Sequence, residues 1–219
     1  MSYLKEKATA FLMSRIGKAA HVIAAEYITD SLLAITLHLP DFEKWRSCQH
    51  LKFETGKSHY RDYTLAQWDE ASKQGVLLID VGHEGPGSNW ARHLLPGQSL
   101  VYAGPGGGFH QPSNAAHLVC IGDASAIGQF TSLYHRKGAQ QQLYALISHQ
   151  QSLPSSILDM PVITTYGHIT GIERWLLQQP IPMHDTTFYT AGHIPMVVQI
   201  RKLLKRLRAQ QVKAQGFWE

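Results

Sequence analysis

The chain has 219 residues, with 20 Lys and Arg against 16 Asp and Glu, a net charge of +4. At 44% hydrophobic and 16% charged it can bury a real core, which excludes disorder as its main state. Two cysteines, Cys48 and Cys120, cannot build a disulfide framework, and no apolar run approaches the roughly 20 residues that span a bilayer.

In chain order, the first apolar cluster is Ala10–Met13, too short for a secretory h-region, so a short N-terminal helix and a cytoplasmic protein are expected. Short strands with turn signals follow: Leu32–Leu39 stopped by Pro40-Asp41, His50–Glu54, Tyr60–Gln67, Val76–Val81, and Ser99–Ala103 after Pro96-Gly97. That spacing predicts a small antiparallel barrel or sandwich. The breaker cluster Gly104–Gly108 to Pro112-Ser113 predicts a domain boundary, giving domains 1–112 and 113–219.

The rhythm then changes. His117–Ile121 is a continuous apolar run, as a buried parallel strand requires, and Ala124–Arg136 reads as a helix. Strands are predicted at Gln142–Ser148, Val162–Thr165 and Thr187–Thr190, with helices at Gly171–Gln178 and Ile194–Gln210. The last is amphipathic through Ile194, Val197, Val198, Leu204 and Leu207. Strands alternating with helices predict an open parallel sheet.

The charge is uneven: the first 110 residues balance, and the excess lies beyond them, densest at Arg201, Lys202, Lys205, Arg206 and Arg208. A solvated helix face accounts for such a run, and a surface that attracts an anion is the sharper reading. Nucleic acid is not an expected partner, since no helix-turn-helix, finger or aromatic-basic module is present.

Four segments carry candidate chemistry. Alternation puts Arg61 and Tyr63 on one face of a strand and Asp62 and Thr64 on the other, and a cation beside an aromatic suits a ligand with phosphate and a flat ring. Ile79-Asp80-Val81-Gly82-His83 runs through Gly85-Pro86-Gly87-Ser88 into a short helix bearing Trp90. Ser88 is placed as its cap, and free amides there suit an anion. Gly122-Asp123-Ala124 and Tyr189-Thr190-Ala191-Gly192-His193 are strand-to-helix junctions, where open α/β sheets bind nucleotides. Each alone is also what an ordinary turn or packed strand provides. Thirteen histidines raise a metal question, but neither His-Glu-x-x-His nor Cys-x-x-Cys occurs, and no protein-bound metal is expected. A Gly-x-Ser-x-Gly elbow is absent too, which weighs against a serine hydrolase.

In order, these segments resemble the siderophore-interacting proteins, FAD-containing ferric-siderophore reductases of the ferredoxin reductase superfamily. The resemblance rests on Arg61-x-Tyr63-Thr64, Asp80-x-x-His83, Gly85-Pro86-x-Ser88-x-Trp90-Ala91, and Pro96-Gly97 before Ala103-Gly104-Pro105. Gly122-Asp123-x-x-Ala126, Ala191-Gly192 and a closing Gly216-Phe217-Trp218 complete it, from about residue 18 onward. It implies a two-domain ferredoxin-reductase-like fold: a six-stranded FAD barrel, then a smaller α/β NAD(P)H-binding domain with a parallel sheet. It implies Arg61 on the FAD pyrophosphate, Tyr63 against the isoalloxazine and Thr64 at its reactive edge. Asp80, Val81 and His83 follow the adenylate side, and Gly87 and Ser88 lie on the phosphates. Gly122, Asp123, Ala124, Gly192 and His193 receive NADH or NADPH.

The expected activity passes electrons from NAD(P)H, or from ferredoxin, through FAD to the Fe(III) of a ferric siderophore, in a monomer. Lys52 leads as a contact for an anionic siderophore because it matches a strand Lys in the family, with Lys57 and Arg92 as weaker choices. Departures from the family pattern are His193 in place of Glu, Gly106 in place of a charged residue, and an end at Glu219. His193 and the end at Glu219 keep open a non-enzymatic flavin- and siderophore-binding protein, and a general flavin or ferric-chelate reductase is the other alternative.

Overall fold

The computed structural model describes residues 13, 15–56, 59–107, 110–166 and 169–218. Most of the expected N-terminal helix, together with Lys57, lies outside the described residues. The chain divides into two compact units, Met1–Phe109 and His110–Glu219.

The first unit is a closed six-stranded antiparallel barrel: β1 (Lys18–Thr29), β2 (Leu32–His38), β3 (Gln49–Gly56), β4 (His59–Asp69), β5 (Gln74–Asp80) and β6 (Ser99–Gly107), paired in the order β1-β2-β5-β4-β3-β6. Helix α1 (Pro86–Arg92) follows β5. Alternation drives the closure: Leu33, Ile35 and Leu37 of β2, Leu51 and Phe53 of β3, and Leu77 and Ile79 of β5 point inward and are almost wholly buried. Two elements differ from expectation. Strand β1 has no clear sequence signal, because its Ala-rich run buries fully only Ala20 and Val22, and alanine is a poor strand former. Gly104–Gly107, read as part of a linker, continues β6, with Gly106 opposite His50 and Gly107 opposite Gln49.

The second unit is a six-stranded sheet in the order β12-β11-β7-β8-β10-β9, comprising β7 (His117–Asp123), β8 (Gln142–Ser148), β9 (Ser156–Ile157), β10 (Met160–Thr165), β11 (Thr186–His193) and β12 (Gln211–Trp218). It is parallel except for β9, which runs antiparallel to β10. Strands β7 and β11 are buried almost throughout, as a sheet covered on both faces demands. Helices α2 (Ile127–Arg136), α3 (Ile169–Gln178) and α4 (Ile194–Arg206) complete the unit, with a 3₁₀ turn at Ala124–Ala126 leading into α2.

Helix α4 corrects the expected apolar stripe. Its buried residues are Met196, Val197, Ile200, Leu203 and Leu204, whereas Ile194 and Val198 are exposed. The buried set keeps the i, i+1, i+4, i+7, i+8 spacing of one helical face, which the expected set does not. The helix also ends earlier than expected. Arg208 adopts a φ of 61° and the Ala209 N–H reaches back to the Leu204 carbonyl (3.0 Å), closing it. Among the described residues no helix is long and apolar enough to cross a membrane, and no group of three or more His, Cys, Asp or Glu is placed to hold a metal.

A polar network ties residues 110–113 to this sheet. Tyr189 Oη donates to the Gln111 carbonyl (2.9 Å) and accepts the Ser113 N–H (2.9 Å), while Lys213 Nζ also donates to Gln111 (3.0 Å). The His110 ring lies edge-on to Tyr189, with the Gln129 amide against its Nδ1. Burial, aided by the Lys213 charge, pushes His110 down to about 4. The unfolded chain therefore takes up this proton first, so the stability His110 permits is complete above the ordinary histidine value of about 6.5 and falls as pH drops toward 4. The expected loss approaches roughly 3 kcal/mol at the acid end. Denaturant titrations at neutral and acid pH of the wild type and His110→Gln check this: the variant is expected to lose less stability on acidification. Equal losses in both proteins would contradict it.

Candidate functional site

In the barrel unit the site residues converge where β4 meets α1. Arg61 and Tyr63 share a face, as alternation required, with cross-strand partners Phe53 and Leu51. The Tyr63 ring stacks on Trp90 of α1 (centroids 5.5 Å apart, 11° between planes) and tilts against buried Phe53 (6.3 Å). Burial pushes the Tyr63 hydroxyl up to about 12, opposed by the Arg61 charge, so the phenol stays neutral. Gly87 lets α1 approach β4 closely: a Cβ there would come 2.5 Å from Tyr63 Oη, so a larger residue would push the ring aside. Arg61 is half-buried and donates to the adjacent Tyr60 carbonyl (2.8 Å), and among the described residues no carboxylate lies within ion-pair distance of it.

The loop from β5 to α1 is held by its own side chains. Asp80 Oδ1 accepts the Gly82 N–H (2.9 Å), and the buried Val81 N–H donates to the Ser31 carbonyl (2.8 Å). Ser88 is not the helix cap. Gly85 takes that position with Pro86 in the first turn, a preferred place for proline, and the buried Ser88 hydroxyl instead donates back to the Asp80 carbonyl (3.2 Å). It also lies 3.3 Å from His83 Nδ1. Arg92 is engaged within the same loop, donating to the Val81 carbonyl (2.7 Å) and pairing with Glu84 (3.3 Å).

The opposite face of the β3–β4 hairpin holds a cluster that sequence reasoning missed in part. His50 lies across from Thr64, and Lys52 across from Asp62. Lys52 Nζ pairs with Asp62 Oδ1 at 2.7 Å, so the leading substrate cation is neutralised by its strand partner. The same oxygen is 3.9 Å from His50 Nε2. The His50 ring packs onto the backbone of β6, where a Cβ on Gly106 or Gly107 would approach it to 2.8 or 2.6 Å. His50 and Asp62 carry no motif, and only the hairpin register reveals them.

In the second unit the two strand-to-helix junctions meet. Asp123 Oδ2 accepts the His193 N–H (2.7 Å), and Oδ1 accepts the Ser125 N–H (3.0 Å). Gly192, at φ 118°, is a position where any Cβ would strike the Asp123 carboxylate at 2.6 Å. A Cβ on Gly122 would meet the Ala191 carbonyl at 2.4 Å, and Ala124 is buried at the start of the 3₁₀ turn. Trp218 stacks on His193 (4.3 Å, 25°) and its Nε1 donates to Ser125 Oγ (3.2 Å). The Gly122–Asp123 and Gly192–His193 segments are thus joined by Asp123 and covered by an indole from β12.

Barrel, hairpin and sheet together define the class: a ferredoxin-reductase-like fold. Residues 42–109 match the family model of the siderophore-interacting FAD-binding domain. A siderophore utilization protein from T. fusca is similar in structure, with a TM-score of 0.75 at 20% identity, covering 93% of this chain and 92% of that one. The siderophore-interacting protein SipS from Aeromonas hydrophila gives 0.74 at 18%, covering 93% and 91%. A ferredoxin reductase of carbazole 1,9a-dioxygenase gives 0.75 at 18%, covering 92% of this chain and 69% of its own. The resemblance read from the motifs is borne out, over residues 42–109 by the family model and across the chain in fold.

Proposed function

We propose that this chain is an FAD-dependent reductase that delivers electrons to the Fe(III) of a ferric siderophore and so releases Fe(II). The observation that carries the reading is the half-buried Arg61 guanidinium with no carboxylate partner among the described residues, beside Tyr63 and backed by Gly87, inside the segment that matches an FAD-binding domain. An unpaired half-buried cation beside an aromatic is a fit for a diphosphate joined to a flat ring. When bound, FAD supplies hydride acceptance from a nicotinamide and one-electron release to iron.

The chain's own residues bind and orient. Arg61 holds the diphosphate with the first-turn amides of Gly87 and Ser88, and Asp80, Val81 and His83 shape the loop along the adenylate side. Tyr63, kept neutral and pinned by Trp90, offers a rigid aromatic wall, and Thr64 presents a hydroxyl on the opposite strand face. No general acid or nucleophile is required, because one NADH or NADPH carries two electrons, enough for two ferric ions, with one proton released. Gly122, Asp123, Ala124, Gly192 and His193 are the residues proposed to receive the nicotinamide nucleotide. Trp218 lies over His193 and Ser125, so a nucleotide must displace the indole. That contact favours a second reading for the donor alone, in which reduced ferredoxin supplies the electrons.

The test is anaerobic. FAD-loaded protein is mixed in turn with NADH, NADPH and reduced ferredoxin, then with a ferric siderophore and an Fe(II) trap. The flavin absorbance is expected to bleach with at least one donor and to recover as Fe(II) appears. Bleaching without Fe(II) release would make the protein a general flavin reductase, and bleaching by no donor would make it a binding protein.

A further inference from the structure

The Lys52–Asp62 pair presents a difficulty for any anionic ligand, because the strand's cation is already neutralised at 2.7 Å. A third group shares the carboxylate: His50 Nε2 lies 3.9 Å from the same Asp62 oxygen. We propose that His50 is a proton-controlled gate on this site, and that its protonation draws Asp62 away from Lys52 and opens the β3–β4 face to multiply charged anions such as an octahedral metal chelate. The proposal rests on the reading of this chain as a ferric-siderophore reductase in which Lys52 contacts the anionic siderophore.

The geometry limits what else His50 can do. Its ring is confined against Gly106 and Gly107, where any side chain would collide with it. The groups that face it can be enumerated by strand. Among the described residues, β3 contributes Lys52, two residues on, β4 contributes Asp62 and the uncharged Thr64, and β6 sets the uncharged Gly106 and Ala103 opposite His50 and Lys52. Among the described residues, the ion pairs of His50 and Lys52 within 4.0 Å are those to Asp62. The cluster is also partly open to solvent, with side-chain exposures of 27% for His50, 34% for Lys52 and 43% for Asp62. A proton and a ligand can therefore both reach it.

The sign follows from the charges. With imidazole neutral, Lys52 and Asp62 cancel and the face offers an anion nothing. With imidazolium present, the cluster carries a net positive charge and Asp62 divides its attraction between two cations. Anion affinity is therefore expected to rise as pH falls, whereas a lysine alone, whose charge does not change between about pH 5 and 8, would give no pH response.

Hexacyanocobaltate(III) is a suitable probe, being an octahedral trianion of fixed charge across this range and inert to one-electron reduction. Calorimetric titration at constant ionic strength is expected to show roughly fivefold tighter binding at about pH 5.5 than at about pH 8, the scale of one added charge near a solvated anion. His50→Gln should abolish most of that gain while keeping the other histidines. Asp62→Asn should bind at least as tightly at high pH as the wild type does at low pH, and Lys52→Met should bind weakly at both. The last two substitutions do not touch the glycine contacts, so they test the gate even if His50→Gln disturbs β6. An unchanged pH response in His50→Gln, or no tightening in Asp62→Asn, overturns the proposal. The titration needs neither flavin nor turnover, so loss of FAD binding would sink the reductase reading and leave this result standing. A pH-flat titration in a protein that does reduce ferric siderophores would sink the gate alone.

Discussion

Arg61→Ala is expected to weaken FAD binding by about 1.5–3 kcal/mol, roughly 10- to 150-fold in Kd, the usual worth of a charge-assisted contact. The barrel should survive the change, because the guanidinium is bonded to the neighbouring Tyr60 carbonyl and pairs with no described carboxylate. Arg61→Lys should recover only part of the loss, since an ammonium keeps the charge but not the planar fork that grips a diphosphate. Flavin fluorescence titration reads all three proteins, with far-ultraviolet circular dichroism confirming the fold. Unchanged FAD affinity in the alanine variant would remove Arg61 from the site.

Phe53→Ala carries the largest expected effect on stability, about 3–5 kcal/mol. Phe53 is wholly buried and touches three aromatic rings: Tyr63 (6.3 Å), Trp90 (5.6 Å) and Tyr102 (6.2 Å). Those rings belong to β4, α1 and β6, so no single neighbour can move to fill the space left behind. The same cavity would loosen the wall that pins Tyr63, and FAD binding should fall with stability. Urea unfolding followed by tryptophan emission gives the number. A loss below about 1 kcal/mol would mean that the cluster repacks freely, against the geometry described.

How much of this was legible before folding depends on the kind of contact. The Arg61–Tyr63 face was legible because strand alternation is a local property with a period of two. The Gly122-Asp123 and Gly192-His193 junctions were legible as strand ends running into helices. That one carboxylate joins them was not, since Asp123 and His193 stand 70 residues apart. Ser88 was misplaced as a cap because Ser favours that role, yet Gly85-Pro86 starts the helix one turn earlier. Strand β12 went unseen for a related reason. Its residues are mostly exposed, and it is a strand only because β11 lies beside it.

The linear chain already carried the barrel followed by an α/β unit, the ordered motifs of an FAD-binding domain, and the faces of β4. Those are set by residue type and short spacing, which a linear chain displays directly. Folding was needed to show that Lys52 is answered by Asp62, that His50 lies near the same oxygen against two glycines of β6, and that Trp218 covers His193. Each of these depends on the register or neighbour order of strands distant in sequence. Register is fixed by the whole hydrophobic pattern closing on itself, not by the residues that meet as a result.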